Sequence, residues 1–141
     1  MVYLTRRVTF NAAHKLSVPE WSDERNREVF GRCANVNWHG HNYVLLVTVR
    51  AEPHAETGFV MNAKDLKDIV EAEVTEQLDH RNINLDVPWM RGIQPTSENI
   101  ARAVWGRLAP KLADRAELYR VRLVETENIF VDYYGGGEPM P

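Results

Sequence analysis

Hydrophobic and polar residues alternate along two stretches of the chain, and this alternation predicts two β-strands. In residues 2–14, VYLTRRVTFNAAH, every second side chain from Val8 to His14 would lie on one face of an extended segment. Residues 41–50, HNYVLLVTVR, are rich in β-branched and apolar side chains and form the strongest predicted strand. The first third of the chain is therefore expected to contribute two strands.

Two later segments show the spacing of amphipathic helices. In residues 62–78, NAKDLKDIVEAEVTEQL, the apolar residues fall near one helical face, and Asn62 is available as the N-cap. A second helix is predicted after Pro95, at TSENIARAVWGRL, where apolar residues recur at intervals of four. We expect Pro110 to kink or end this helix, because proline cannot donate a backbone hydrogen bond.

The remaining segments complete the predicted order of elements. SDERNREVFG predicts a short connecting helix that is capped by Ser22 and stopped at Gly31. Residues 119–134, YRVRLVETENIFVDYY, predict two short strands joined at TEN, and residues 135–141 predict a loose tail. Strands on either side of a pair of helices favour the α+β class, with the helices on one face of an antiparallel sheet.

Length, charge and cysteine content narrow the classes of protein. The chain has 141 residues, 44% of them hydrophobic, so we expect one domain that spans residues 1–141. A formal net charge of -3 without blocks of like charge argues against nucleic acid as a partner. No stretch approaches the roughly 18 apolar residues of a membrane span, and no signal peptide is recognised. The single cysteine fits a reducing compartment, so a cytoplasmic protein is expected.

Histidines carry the first chemical signal. His39 and His41 would point to the same face of a strand, so both imidazoles could bind one ion such as zinc. His14 ends the other predicted strand on its apolar face, where an unpaired imidazole would be costly. Three histidines without a fourth protein ligand would describe a catalytic zinc site. The alternatives are imidazoles that bond to backbone carbonyls, or a surface cluster.

Cys33 precedes the histidine pair and has three interpretations. It could be a fourth, structural zinc ligand, a small buried hydrophobic residue, or a nucleophile or base beside the metal. A buried role is the most common one for a single cysteine. The sequence pattern alone does not choose among the three.

Four further polar residues are candidates for a functional site, and each could also have a purely structural role. Asp79 and His80 follow a predicted helix, where a capping carboxylate and a solvent-facing histidine are common. Glu125 would face inward if Val121 and Leu123 do, and it would then need a partner; otherwise the strand ends there and the carboxylate is solvated. Glu98 could simply be an acid in the first turn of a helix.

Six short motifs, taken together, indicate a protein family more specifically than any single residue does. They are FNAAHKL, GRCANVNWHGHNY, TGFVMNAKDLK, LDHRNINLD, PTSENIA and VETEN. In order and spacing they resemble the 6-pyruvoyltetrahydropterin synthase family, over almost the whole chain. The resemblance implies the tunnelling fold (T-fold): a four-stranded antiparallel sheet with two helices on one face, three subunits that close a barrel, and two trimers stacked as a hexamer.

The resemblance also implies three sets of functional residues. The ligands of one zinc ion per subunit are His14, His39 and His41. The catalytic residues are Cys33, Asp79 and His80, with the Asp–His pair acting across a subunit boundary. The pterin-binding residues are Glu125, Thr96, Ser97 and Glu98. The sequence departs from the family at VNW before HGH, where animal enzymes tend to have PNG, and around FNAAH, and Ser97 replaces a residue that is often threonine.

The implied substrate is 7,8-dihydroneopterin triphosphate, converted with loss of triphosphate by a carbon–oxygen lyase of tetrahydrobiopterin biosynthesis. One carboxylate, Glu125, could accept both the ring N–H and the exocyclic amine of a pterin. Zinc would polarise the side-chain oxygens, and Cys33 would take a proton if zinc and His80 lower its pKa. The sequence leaves open which basic residues hold the triphosphate and whether magnesium accompanies it.

Two other functions remain as alternatives. The 6-carboxytetrahydropterin synthases of queuosine biosynthesis use the same substrate, but their cysteine is typically three residues before HGH. Here the five residues ANVNW separate Cys33 from His39, as in the tetrahydrobiopterin-type enzymes. A non-catalytic zinc- or pterin-binding protein is the second alternative, and the intact Cys33, Asp79 and His80 argue against it.

Overall fold

A computed structural model describes residues 1–136 of the chain. Its strands and helices are β1 (Val2–His14), α1 (Asp23–Phe30), β2 (His39–Ala51), α2 (Ala63–Val70), α3 (Glu76–Leu78), β3 (Arg81–Asn82), α4 (Ile83–Asp86), α5 (Ser97–Leu112), β4 (Glu117–Thr126) and β5 (Ile129–Tyr133). Short 3₁₀ segments lie at Gly31–Ala34 and Pro88–Met90, and a π-helical segment, Glu71–Thr75, joins α2 to α3. The predicted tail beyond residue 136 lies outside the described residues.

The described strands form one sheet in the order β3-β1-β2-β4-β5. The four long strands are antiparallel, and β1 pairs with β2 along its whole length, with His14 opposite His39 at one end. β4 and β5 form the predicted C-terminal hairpin, in which Thr126 pairs with Ile129. The predicted α+β class and the four antiparallel strands are confirmed.

The sheet nevertheless differs from the prediction, because it has a fifth strand and is mixed. β3 adds to the outer edge of β1 in the parallel direction, at Ala12 and Ala13. His80 has a φ of +58°, which turns the chain after α3, and its N–H donates to the Asn11 carbonyl at 2.6 Å. This left-handed residue directs the next two residues along β1, so the expectation of a purely four-stranded sheet is wrong.

The helices begin at the predicted caps. The Ser22 side chain accepts the Arg25 N–H at the start of α1, and the Asn62 side chain accepts the Lys64 N–H at the start of α2. The predicted helix over residues 62–78 is continuous but not uniform, since its middle is the π-helical Glu71–Thr75.

Of the two expected effects of Pro110, a kink or an end, the structure excludes an end of α5 at the proline. The helix continues to Leu112, and the Ala113 N–H still bonds to the Ala109 carbonyl at 3.1 Å. Because Pro110 lies in the last turn, its missing N–H removes one hydrogen bond and leaves the rest of the helix intact.

Both long helices pack on one face of the sheet. Leu66 of α2 and Ile100 of α5 are buried in the same cluster as Phe10 of β1 and Leu45 of β2. His14 continues this buried face to the end of β1. No helix within residues 1–136 is both long enough and apolar enough to span a membrane.

Candidate metal centre and active site

Three histidines meet where β1 ends and β2 begins. His14 lies opposite His39 in the strand pairing, and His41 follows on the same face of β2. The ring centroids are 4.5 Å apart for His14 and His39, 5.1 Å for His14 and His41, and 5.0 Å for His39 and His41. One ring nitrogen from each histidine lies within 4.8 Å of the other two. The alternation of the HGH motif therefore brings three ligand atoms to one place.

The hydrogen bonds of these rings distinguish a metal site from a structural cluster. His14 is fully buried, and its Nδ1 lies 2.8 Å from the Pro95 carbonyl, to which it must donate. Both nitrogens of His39 and the Nε2 of His41 are buried without a hydrogen-bond partner. Buried polar atoms are rarely left in this state unless an ion or water binds them. Backbone carbonyls therefore do not account for the cluster.

The charge state of the rings also suits a metal. Burial lowers the pKa of His14 and of His39; His39 and His41 lower that of His14 further, and His41 lowers that of His39. The hydrogen bond to Pro95 acts in the opposite direction on His14. Neutral imidazole is the form that binds a metal, and three such donors suit zinc, copper, iron or nickel. The residues present thus fit a divalent transition-metal ion.

Glu125 faces the histidine cluster from β4. Val121 and Leu123 point into the core and are fully buried, so the alternation turns Glu125 to the same side. Its Oε1 lies 3.3 Å from the Nε2 of His41 and 3.5 Å from the Nε2 of His14, and the side chain is 18% exposed. The alternative of a solvated carboxylate at a strand end is therefore not what the structure contains.

Tyr43 lies behind the cluster and was not singled out from the sequence. Its hydroxyl is 3.4 Å from both ring nitrogens of His14, and the side chain is fully buried. Burial, and after it the negative charge of Glu125, raise the pKa of Tyr43. The strand alternation that pairs His39 with His41 continues to this residue, and this signal could have found it.

Cys33 lies in the 3₁₀ segment before β2 and is half-buried. Its carbonyl accepts the Leu16 N–H at 2.8 Å, which ties the segment to the residues after His14. The metal-ligand group found among the described residues consists of the three histidines and does not include Cys33. Burial, and after it the charge of Glu125, raise the pKa of the thiol. His80 of the same chain does not contribute the expected lowering of this pKa.

Asp79 and His80 form an exposed pair at the outer edge of β1. The Asp79 Oδ1 accepts the Asn11 N–H at 2.8 Å, and its Oδ2 lies 2.9 Å from the Nδ1 of His80. The hydrogen bond from Asn11, and then that from His80, lower the pKa of Asp79. The side chains of His80 and Asp79 are 82% and 44% exposed. Of these two residues, neither is among the charges that shift the pKa of Cys33.

The PTSEN segment begins α5 beside His14, through the carbonyl of Pro95. The Thr96 hydroxyl accepts the Asn99 N–H at 3.2 Å and so caps the helix. Ser97 is only 5% exposed, and its hydroxyl has no hydrogen-bond partner. Glu98 is exposed in the first turn of the helix. Of the three predicted residues, Ser97 is the one whose polar group is buried and free to bond.

Three side-chain amides fix the backbone after His14, and sequence reasoning missed them. Each accepts the N–H and donates to the carbonyl of one residue, at 2.8–3.2 Å. The pairs are Asn84 with Lys15, Gln94 with Ser17, and Asn26 with Val18. They bond to an irregular segment as a neighbouring strand would, which restrains the chain that follows His14.

Comparison with known proteins places this arrangement in a family. A family model of 6-pyruvoyl tetrahydropterin synthase matches residues 3–136. The chain is 43% identical to a 6-pyruvoyl tetrahydrobiopterin synthase of Pongo abelii over 132 residues, which are 94% of this chain and 90% of that protein. It is 42% identical to the enzyme of the same name from Dictyostelium discoideum over 134 residues, 95% of this chain and 96% of the other.

A solved structure agrees with the sequence comparison. Caenorhabditis elegans 6-pyruvoyl tetrahydropterin synthase superposes with a TM-score of 0.89 at 36% identity, and the match covers 96% of each chain. The chain belongs to the 6-pyruvoyl tetrahydropterin synthase family.

Proposed function

We propose that the protein is a zinc-dependent 6-pyruvoyl tetrahydropterin synthase of the cytoplasm. It converts 7,8-dihydroneopterin triphosphate to 6-pyruvoyltetrahydropterin and releases triphosphate, and residues 1–141 act as one domain. The observation that carries this proposal is the convergence of His14, His39 and His41 in a chain of this family, with buried nitrogens of His39 and His41 that have no hydrogen-bond partner.

The three histidines would hold one zinc ion per subunit. Three protein ligands are the number typical of catalytic zinc, and the Pro95 carbonyl orients His14 so that its Nε2 is available. Zinc bound there supplies Lewis acidity, which polarises the side-chain hydroxyls of the substrate and acidifies the adjacent C–H bonds.

The pterin ring would bind through Glu125. Its two carboxylate oxygens match the ring N–H and the exocyclic amine, which point in the same direction. Thr96, Ser97 and Glu98 would line the same pocket, and the buried, unpartnered hydroxyl of Ser97 supports a polar contact with the ligand. Because Glu125 lies beside His14 and His41, ring binding would bring the substrate side chain to the metal.

Cys33 would remove a proton from the substrate side chain. Burial and Glu125 keep its thiol protonated, so a nearby cation must lower the pKa before the thiol can act as a base. The metal is one such cation, and the Asp79–His80 pair of a neighbouring copy is the other. The large exposure of His80 supports a role in which it completes the site of another subunit.

The reaction needs no external redox cofactor. Proton removal beside the phosphorylated carbon allows its C–O bond to break, and the electron pair leaves with triphosphate. What remains has the elemental composition of the product, so oxidation of the side-chain carbons is balanced by reduction of the ring C=N bond. This balance agrees with the absence of a glycine-rich dinucleotide motif from the sequence.

A trimeric barrel, stacked in pairs as a hexamer, would complete the site. The outer strands carry exposed apolar residues, Val2 and Tyr3 on β1 and Ile129 and Phe130 on β5. β3 pairs with β1 only at Ala12 and Ala13, which leaves most of that edge free among the described residues. Pairing these edges between subunits would cover both the apolar side chains and the backbone groups.

The proposal is tested by supplying 7,8-dihydroneopterin triphosphate to the purified protein and measuring triphosphate release before and after removal of metal. Release that stops with a chelator and returns with zinc is the expected result. Release at the same rate in the metal-free protein would contradict the proposal.

A further inference from the structure

Trp38 has an unusual backbone conformation directly before the first histidine of β2. Its φ is +67°, a left-handed value that costs energy for any residue with a Cβ atom. The residue ends a tight turn, in which its N–H donates to the Asn35 carbonyl at 3.1 Å. Residues in this conformation are held by the surrounding structure and cluster at functional sites, so the position of the indole ring is informative.

The indole ring of Trp38 holds a cation. The Nζ of Lys15 lies 5.5 Å from its ring centroid, within the range of a cation–π interaction. Lys15 follows His14 and Trp38 precedes His39, and these two histidines are paired across β1 and β2. The ammonium group is therefore anchored one residue beyond the metal centre.

The backbone of Lys15 is also fixed. Asn84 accepts its N–H at 3.0 Å and donates to its carbonyl at 2.9 Å. Both the main chain and the side chain of this lysine are thus held in place before any ligand arrives, which reduces the entropy lost on binding.

Lys15 lines a cavity of about 310 Å³. Arg27 adds a second cation to the lining and Asp23 adds one carboxylate, so positive charge prevails. Ala34, the residue after Cys33, also lines the cavity. The lining therefore includes the chain neighbours of one proposed metal ligand, His14, and of the proposed base, Cys33.

We propose that Lys15, held on the ring of Trp38, binds the triphosphate of the substrate, and that Arg27 is the second cation of this subsite. This inference rests on the proposed function. The phosphates are joined to the hydroxyl-bearing carbons by one further carbon, so they must lie close to the metal centre. Ammonium and guanidinium groups form charge-assisted hydrogen bonds with phosphate, and these bonds also stabilise triphosphate as it leaves.

The test measures the affinity of the zinc-loaded protein for inorganic triphosphate by calorimetry. Metal content is measured after each titration, because triphosphate also chelates metals. Lys15→Met should weaken binding by about 10-fold to 100-fold, the loss expected for a charged hydrogen bond. The control Lys64→Met removes an exposed lysine that pairs with Asp68 and should bind triphosphate like the wild type.

Trp38→Gly separates a binding role from a structural one. Glycine accepts a φ of +67° without strain, so the thermal midpoint should stay the same or rise, while triphosphate affinity should still fall. Neopterin, which lacks phosphates, should bind both variants like the wild type. Unchanged triphosphate affinity in Lys15→Met or in Trp38→Gly would overturn the inference. A wild-type protein that binds neither neopterin nor zinc would instead overturn the proposed function.

Discussion

The Nδ1 of His14 donates a hydrogen bond of 2.8 Å to the carbonyl of Pro95, two residues before α5 begins. This bond fixes the imidazole in the form whose Nε2 carries the lone pair, which is what a metal requires. It also holds the start of α5, including Ser97, next to the histidine cluster. The metal centre and the polar segment that would line the pterin pocket are thus positioned by one contact.

Loss of one histidine ligand should remove the metal without unfolding the chain. His41 is partly exposed at the strand end, so His41→Ala leaves the core intact. Zinc affinity, measured by competition with a chelator, should fall by more than about 100-fold, since even second-shell changes cost about 10-fold to 100-fold. His54→Ala is the control, because His54 is exposed in a loop away from the cluster. Stoichiometric zinc in His41→Ala with an unchanged affinity would contradict the metal assignment.

Cys33→Ala should separate proton transfer from metal binding. The variant should keep zinc and bind neopterin, yet lose about 100-fold to 10,000-fold in turnover, the usual contribution of a general base. Wild-type activity should rise with pH through the pKa of the thiol, which burial and Glu125 raise and which the metal and a neighbouring His80 would lower, because only the thiolate can act as the base. This rise should be absent from the variant. Near-normal turnover, or loss of zinc, would return Cys33 to a structural role.

A site shared between subunits predicts complementation. Cys33→Ala and His80→Ala should each be nearly inactive alone. When the two are co-expressed, about one quarter of the interfaces would combine an intact Cys33 with an intact His80, and this fraction of activity should return. Activity of the separated mixed oligomers is the measurement. No recovery in oligomers shown by mass spectrometry to contain both chains would mean that each site lies within one chain.

The hairpin that carries Glu125 should be stabilised by Arg122 and Asp132. Their side chains form two hydrogen bonds of 2.6 and 2.7 Å between β4 and β5. Hydrogen bonding to Arg122 lowers the pKa of Asp132, although burial acts in the opposite direction. A lowered carboxyl pKa adds stability above the unfolded pKa of about 3.9 that disappears as pH falls through the folded value.

Asp132→Asn should therefore lower the free energy of unfolding by about 1 kcal/mol at neutral pH, and by less near pH 3. Urea denaturation at the two pH values measures this difference. Asp68→Asn is the comparison, since its exposed partner Lys64 should give a smaller effect. An equal loss at both pH values would show that the ion pair is not the cause.

The parts of the fold that could be predicted are those that depend on local sequence patterns. Alternation in residues 2–14 and 41–50 identified both central strands, and the caps Ser22 and Asn62 marked the helix starts. The short β3 could not be predicted, because it depends on the left-handed conformation of His80, which residues other than glycine adopt only uncommonly. β3 is also only two residues long, too short for an alternation of hydrophobic and polar side chains to be recognised.

The candidate site was predictable to the extent that strand alternation determines it. Successive side chains of a strand point to opposite faces, so His39 and His41 of β2 and Glu125 of β4 lie on the same face of the sheet as His14. The hydrogen bonds that hold the site were not predictable, since Asn84 and Gln94 are far in sequence from Lys15 and Ser17, which they fix. Nor could one chain's sequence reveal that its Asp79–His80 pair is exposed at the edge of β1 and does not shift the pKa of Cys33.

The central claim is the reaction itself, and identification of the product by mass spectrometry tests it most directly. Purified zinc-loaded protein is incubated with 7,8-dihydroneopterin triphosphate without nicotinamide or flavin, with Cys33→Ala as the control. The account predicts a tetrahydropterin that retains all three side-chain carbons, 6-pyruvoyltetrahydropterin, together with triphosphate. A product that retains only the carboxyl carbon on the ring, or substrate that stays unchanged, would contradict it.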